Sequence, residues 1–178
     1  MPITLMRHTT PNVSTQICYG KTDIALAASF ESEAAAACKV LPSIDAIVTS
    51  PLSRCRKLAD YLSAQTGVQI SIDDRFKEMD FGNWEMMPWS DIPRDELDIW
   101  ADNFLHGKPH GGESVHQLRQ RVRQGISELQ HENSHTLIIT HSGVIRAAFS
   151  TGDTIADFDT RIGFGMSTSL IQTSAANR

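Results

Sequence analysis

Cysteine, positive charge and long apolar runs are all scarce in this sequence, and each scarcity removes a class of function. Three cysteines, Cys18, Cys38 and Cys55, are odd in number and lack CxxC spacing, which speaks against a disulfide framework or a zinc site and for reduced thiols. No apolar run approaches the roughly 18 residues of a membrane span, and no leader or anchor precedes Arg7, so a cytoplasmic protein without a membrane partner is expected. Lys and Arg number 16 against 21 Asp and Glu, a net charge of -5 with a pI near 5.7. A general nucleic-acid surface would need a basic face, so no nucleic-acid partner is expected, and any bound phosphate must meet a local positive pocket. Repeats, low-complexity tracts and linkers are missing as well. The 178 residues are therefore expected to form one domain, 1–178, large enough to bury about 70% of its unfolded surface.

What is present is an alternation of strand and helix signals. Ile3 to Met6 is a short apolar strand ending at Arg7-His8, and a helix-forming stretch from about Ala28 to Leu41 stops at Pro42. Ile44 to Thr49 has the branched, continuous apolar character of a buried parallel strand. Ser50 suits a helix cap and Pro51 a first turn, opening a helix from about Leu52 to Gln65 with Leu52, Cys55, Leu58, Ala59 and Leu62 in one stripe. Arg54 falls off that stripe but lies in the first turns, where it can point back beyond the preceding strand. Val68 to Ile72 alternates as a strand, Ser90 to Leu105 reads as an irregular helix, and Glu113-Ser114 opens a helix to about Gln130. Thr136 to Thr140 is a strand, a short helix follows to about Phe149, Ser167 to Gln172 forms a last strand, and Ala175 to Arg178 frays. The pattern predicts a three-layer α/β fold, a mostly parallel sheet with helices on both faces.

Polar groups follow successive strands: His8 the first, Arg54 the second, Glu78 the third and His141 the fourth. In open α/β sheets ligands bind beyond the carboxyl ends of the strands, so these four share an address. Arg7, Arg54 and a protonated or hydrogen-donating His141 suit phosphate oxygens and the charge of a transferring phosphoryl group. The same cations lower the pKa of a neighbouring imidazole, keeping His8 neutral and nucleophilic. An acid in a partly apolar loop can hold the proton that a leaving alkoxide needs; Glu78 is the candidate and Asp80 the reserve, with Phe81 and Trp84 as the dry wall. The scheme calls for no metal and no cofactor. His106, His110 and His116 lack a helical ligand spacing, Trp89 and Trp100 read as core, and Ser114 either touches phosphate or caps its helix.

Arg7-His8, Ser50-Pro51-Leu52-Ser53-Arg54, Glu78 to Glu85, Gly111-Gly112-Glu113-Ser114 and Thr140 to Arg146 together resemble the motifs of the histidine phosphatase, or phosphoglycerate mutase-like, superfamily. The resemblance runs in order from residue 7 to 146. It implies a phosphoglycerate mutase-like fold and a metal-independent phosphomonoesterase of small phosphorylated substrates. It also implies that His8 is phosphorylated, that Arg7, Arg54 and His141 bind phosphate, and that Glu78 donates the proton. Cys18 to Leu26 is similar to alpha-ribazole phosphatases, which implies alpha-ribazole 5'-phosphate or a cobalamin phosphate as substrate and a place in cobalamin biosynthesis. Thr9 and Thr10 stand where the family usually has Gly and Glu, Ser142 replaces a frequent Gly, and Met86 stands at a frequent Gly. Thr9 and Ser142 are the further substrate-binding candidates.

Three other readings stay open: a phosphatase of other small or sugar phosphates, a phosphoglycerate mutase, and a non-catalytic phosphate-binding module. A mutase is expected to carry a longer covering insertion, and a module needs neither nucleophile nor acid. A homodimer is also left open.

Overall fold

In the computed structural model, which describes residues 2–130 and 134–170, the expected alternation of strands and helices is present. The elements are β1 (Ile3–Arg7), α1 (Phe30–Lys39), β2 (Ala46–Thr49), α2 (Ser53–Thr66), β3 (Ile70–Ile72), α3 (Arg94–Asp102), α4 (Val115–Leu129), β4 (Thr136–Thr140), α5 (Ser142–Phe149) and β5 (Ser167–Leu170). One sheet holds the five strands in the order β3-β2-β4-β1-β5. Pairings among the first four are parallel, with Leu5 beside Ile138 and Val48 beside Ile138, and β5 runs antiparallel to β1.

Alternation along the strands sorts the core into two layers. Ile3, Leu5, Val48 and Ile138 pack against Val115, Leu118, Val122 and Ile126 of α4 and against Val144, Ile145 and Ala147 of α5. On the opposite face, Met6, Ile47, Leu137 and Ile139 meet Ala34 and Ala37 of α1 and Cys55, Leu58, Ala59 and Leu62 of α2. β4, every residue of it buried, reads apolar on both faces because both are covered.

Several local expectations shift. Ser50 does not cap α2: Leu52 is its N-cap residue, and Asp23 Oδ1 from a distant loop accepts from Ser53 N at 2.9 Å and Ser53 Oγ at 2.7 Å. Pro51 consequently precedes the helix. The irregular 90–105 stretch resolves into a 3-10 turn at Trp89–Asp91 and a separate α3, split at Pro93, whose ring fits only the start of a helix. β3 is a three-residue edge strand. Ser114 caps α4 in a reciprocal capping box with Gln117. β5 covers 167–170; the end of the expected last strand and the segment Ala175 to Arg178 lie outside the described residues.

Candidate active site

Hydrogen bonding continues past the strand ends: His8 N donates to Thr140 O and Ser50 N to Ile139 O, each at 3.0 Å. Three loops are thus drawn together at the carboxyl ends of β1, β2 and β4. β1 and β4 are neighbours, yet the next helix after β1 lies on one face and the next after β4 on the other. That parting opens a crevice. Arg7, His8, Glu78 and Ser142 line it, together with Tyr19, Phe81, Trp89, Arg146 and Phe164, around a cleft of about 450 Å³.

His8 is buried, and its Nδ1 lies 2.7 Å from the Thr9 carbonyl oxygen. A carbonyl can only accept, so Nδ1 carries the hydrogen and Nε2 keeps its lone pair. Burial, then the nearby charge of Arg54, push the imidazole down to about 3, against the Thr9 carbonyl and with further help from Arg7. The ring is therefore neutral and oriented at neutral pH. His141 packs edge-on against it with ring centroids 5.2 Å apart. Burial, Arg54 and His8 hold His141 well below the usual histidine range. This corrects the protonated form: His141 is a neutral ring, its Nε2 2.8 Å from Ser50 Oγ and 3.4 Å from Cys55 Sγ.

Arg7 Nη1 donates to the Ile162 carbonyl at 2.9 Å, and its guanidinium lies 3.8 Å from the centre of the Phe164 ring. Arg54, although off the apolar stripe of α2, is not exposed. It is fully buried, donating from Nη1 to Thr22 O at 2.8 Å and from Nη2 to Gly20 O at 2.6 Å. Arg54, Thr9 and His141 are absent from the cleft lining and sit behind it. Arg7 Nε, Arg54 Nε and Thr9 Oγ1 are buried without partners among the described residues. Three unsatisfied polar groups round one neutral imidazole are an arrangement that ordinary packing avoids and functional sites retain.

Glu78 reaches the same cleft by a different route. Its Oε2 accepts from Gly143 N at 3.0 Å, in the first turn of α5, and its Oε1 from Met79 N at 2.9 Å. A Cβ at 143 would run into the Glu78 carboxylate, so glycine there leaves the carboxylate room to sit where it does. Arg121 fixes the approach, paired with Glu113 and donating to the carbonyls of Arg75, Lys77 and Glu78. Asp80, the reserve acid, is committed elsewhere, to Lys21 Nζ at 2.7 Å and Gly82 N at 2.8 Å. Burial works against it, but the Lys21 hydrogen bond and charge hold Asp80 below the usual carboxylate range.

The walls differ from expectation. Phe81 lines the cleft, whereas Trp84 lies fully buried behind it with Cys18 and Ile92. Trp89 exchanges places with it, half-exposed and on the cleft wall, and Trp100 is half-buried. Burial, with Glu85 nearby, raises the Cys18 thiol to about 12, and burial raises Cys55 too, so neither is an available thiolate. His106 and His116 stack on each other, while His110 accepts from Gly112 N and sits among Phe81, Trp84 and Trp100. No three His, Cys, Asp or Glu side chains are placed so that they could hold a metal ion among the described residues.

Glu85 is the organiser that motif reading left without a role. Its carboxylate accepts from the backbone N–H of Gly20, Lys21, Thr22 and Phe81 and from the Thr22 hydroxyl. That fixes the 20–22 loop whose carbonyls hold Arg54. Ser50, Tyr19, Arg146 and Phe164 were also missed; all but Ser50 line the cleft, and only spatial proximity identifies them. Met86 adopts φ 66°, a left-handed backbone that explains why glycine is frequent there in the resembled family. Thr10 donates from N and Oγ1 to Glu33 Oε2 and is not among the residues lining the cleft.

Comparison with known proteins identifies the family and the fold. The model of the histidine phosphatase superfamily (branch 1) matches residues 3–168. The uncharacterized phosphatase PhoE of Bacillus subtilis is 32% identical over 136 residues, covering 74% of this chain and 66% of that protein. The adenosylcobalamin/alpha-ribazole phosphatase of Escherichia coli is 29% identical over 109 residues, 58% of this chain and 53% of that protein. The chain thus spans about half to two thirds of the length of these two relatives. Among solved structures, a putative alpha-ribazole-5'-P phosphatase from Escherichia coli superposes with a TM-score of 0.82 at 25% identity, covering 95% of this chain and 89% of that one. A mycobacterial glucosyl-3-phosphoglycerate phosphatase shares the fold, with a TM-score of 0.81 at 23% identity over 94% of this chain and 88% of that one.

Proposed function

Because the chain belongs to the histidine phosphatase superfamily, branch 1, we propose that it is a phosphomonoesterase that passes the phosphoryl group through His8, with alpha-ribazole 5'-phosphate or a cobalamin phosphate as its ester. The observation that carries the reading is the state of His8: buried and neutral, with Nδ1 committed to the Thr9 carbonyl and Nε2 free in a cleft that also holds Glu78. In the first step Nε2 attacks phosphorus, an N–P bond forms, the ester P–O bond breaks, and Glu78 gives its proton to the departing alkoxide. Water then attacks phosphorus and loses a proton to the Glu78 carboxylate; the N–P bond breaks and phosphate leaves with His8 neutral again. Arg7 and Ser142 hold the phosphoryl oxygens from the cleft wall, with Arg54, His141 and Thr9 as its polar floor. The reaction needs no metal.

The corrinoid substrate is supported by the alpha-ribazole phosphatases among the relatives and by a cleft walled with Tyr19, Phe81, Trp89 and Phe164, faces suited to an aromatic ring. Other relatives bear the names probable phosphoglycerate mutase and glucosyl-3-phosphoglycerate phosphatase. The test is phosphate release, with chelator present, from alpha-ribazole 5'-phosphate, 3-phosphoglycerate and an aryl phosphate, by wild type and His8→Ala. Preference for the ribazole ester, lost in His8→Ala, is expected. Comparable release from all three overturns the substrate assignment, phosphoryl transfer to a second sugar acid faster than release makes it a mutase, and binding without release makes it a module.

A further inference from the structure

The motifs that mark the site end at Arg146, yet residues 162–166, just ahead of β5, are fastened to Arg7, the last residue of β1. Arg7 N donates to Met166 O at 3.0 Å, and Gly165 N is shared between the carbonyls of Arg7 and His8 at 3.1 Å each. Arg7 Nη1 donates to Ile162 O at 2.9 Å. Gly165 has φ 69°, a left-handed backbone that glycine takes without strain. Phe164 before it lies on the cleft wall, with its ring centre 3.8 Å from the Arg7 guanidinium carbon and 5.6 Å from the centre of the His8 ring.

A guanidinium stacked on an aromatic face is held in one plane, and the ring takes none of its donors. A carboxylate in the same place would also hold Arg7, but it would occupy N–H groups and offset the charge. The anchor at Ile162 O engages Nη1. The remaining side-on edge, Nε with Nη2, is a fork that matches two phosphate oxygens, and its Nε is buried with no partner among the described residues. Arg7 is thus fixed at one corner and one face, with a phosphate-matching edge left over.

We propose that Phe164 is a positioning residue for Arg7: its ring face sets the plane of the guanidinium, so that the Nε–Nη2 edge meets the phosphoryl oxygens with its donors and charge intact. This role rests on the phosphomonoesterase reading in taking Arg7 as a phosphate ligand. The dependence on Phe164 is then the same for every ester, because the ring acts on the phosphoryl end. A ring that served only as a wall for the substrate's own aromatic group would matter only to esters that carry one.

The experiment measures inorganic phosphate binding by titration calorimetry, and kcat/KM for alpha-ribazole 5'-phosphate and the ring-free ribose 5-phosphate. The proteins are wild type, Phe164→Leu, Phe164→Tyr, Arg7→Lys and the double variant Phe164→Leu with Arg7→Lys; Phe164→Met replaces the leucine variant if that does not fold. Phe164→Leu is expected to weaken phosphate binding and to lower kcat/KM for both esters by about fivefold to thirtyfold, the range of a partly buried cation–π contact. Phe164→Tyr, which keeps a ring face, should recover most of that loss. With Arg7→Lys already present, Phe164→Leu should cost less than about twofold, since the two side chains act as one unit. A loss confined to the ribazole ester, or the full loss on top of Arg7→Lys, overturns the positioning role. If wild type binds phosphate but hydrolyses no ester, the phosphatase reading falls, while weaker phosphate binding in Phe164→Leu upholds the positioning of Arg7. Unchanged phosphate binding in Phe164→Leu, or none in wild type, overturns it.

Discussion

At the scale of single residues, the site depends on keeping two imidazoles neutral. His8 titrates near 3 when folded and near 6.5 as an ordinary histidine. Between those values the unfolded chain binds a proton that the folded chain refuses. Stability therefore rises with pH across this window, by up to about 1.4 kcal/mol per pH unit for one such group; the benefit is full above pH 6.5 and lost as pH falls towards 3. His141 is shifted in the same direction. Thermal midpoints of wild type should fall steeply with acid, and His8→Asn should flatten the slope; parallel slopes would refute the account. Gly143→Ala offers a cleaner test of the acid. Alanine is favoured over glycine within a helix by about 1 kcal/mol, so ordinary accounting predicts an unharmed or stabilised protein. The clash with Glu78 predicts instead a loss of about a hundredfold or more in turnover of alkyl esters, and a smaller loss for a nitrophenyl ester, whose leaving group needs no proton. Equal losses on both esters would remove Glu78 from the proton-donor role.

At the scale of elements, one carboxylate organises a loop, and the loop positions an arginine. Glu85 Oε1 accepts from two N–H groups and Oε2 from two N–H groups and a hydroxyl. In Glu85→Gln, whichever oxygen becomes an amide faces these donors with hydrogens of its own. A loss of about 1–3 kcal/mol is expected, read by urea denaturation, together with a raised KM as the carbonyl seat of Arg54 loosens; an unaltered KM with lowered stability would confine Glu85 to a purely structural part. The same pair shows what could be read beforehand. β1 with Arg7-His8 and β4 with His141 were legible because a short apolar run followed by a charged or titratable residue is a local signal. The burial of Arg54 was not, since its cover comes from a loop 32 to 34 positions away in sequence. Nor was the cap of α2, which is supplied by Asp23, 30 positions earlier. Trp84 and Trp89 carry the same local pattern, and only the tertiary fold decides that the first is core and the second wall. The antiparallel direction of β5 likewise has no mark in its own four residues.

At the scale of the whole molecule, the net charge of -5 coexists with a cationic crevice because Arg7, Arg54 and Arg146 come from three separate elements that the sheet collects at one edge. The two core layers meet through the sheet: β1 gives Ile3 and Leu5 to one and Met6 to the other, β2 gives Val48 and Ile47, and β4 gives Ile138 against Leu137 and Ile139. β4 lies between β2 and β1, and β1 lies between β4 and β5. During synthesis on the ribosome β1, the strand that leads into His8, precedes both of its neighbours, which are made more than 120 residues later. Long-range pairing of this kind is slow and leaves edges exposed meanwhile. The nascent chain must therefore carry β1 unpaired until β4 has been made, and His8 is seated only after the residues of β4 have followed it.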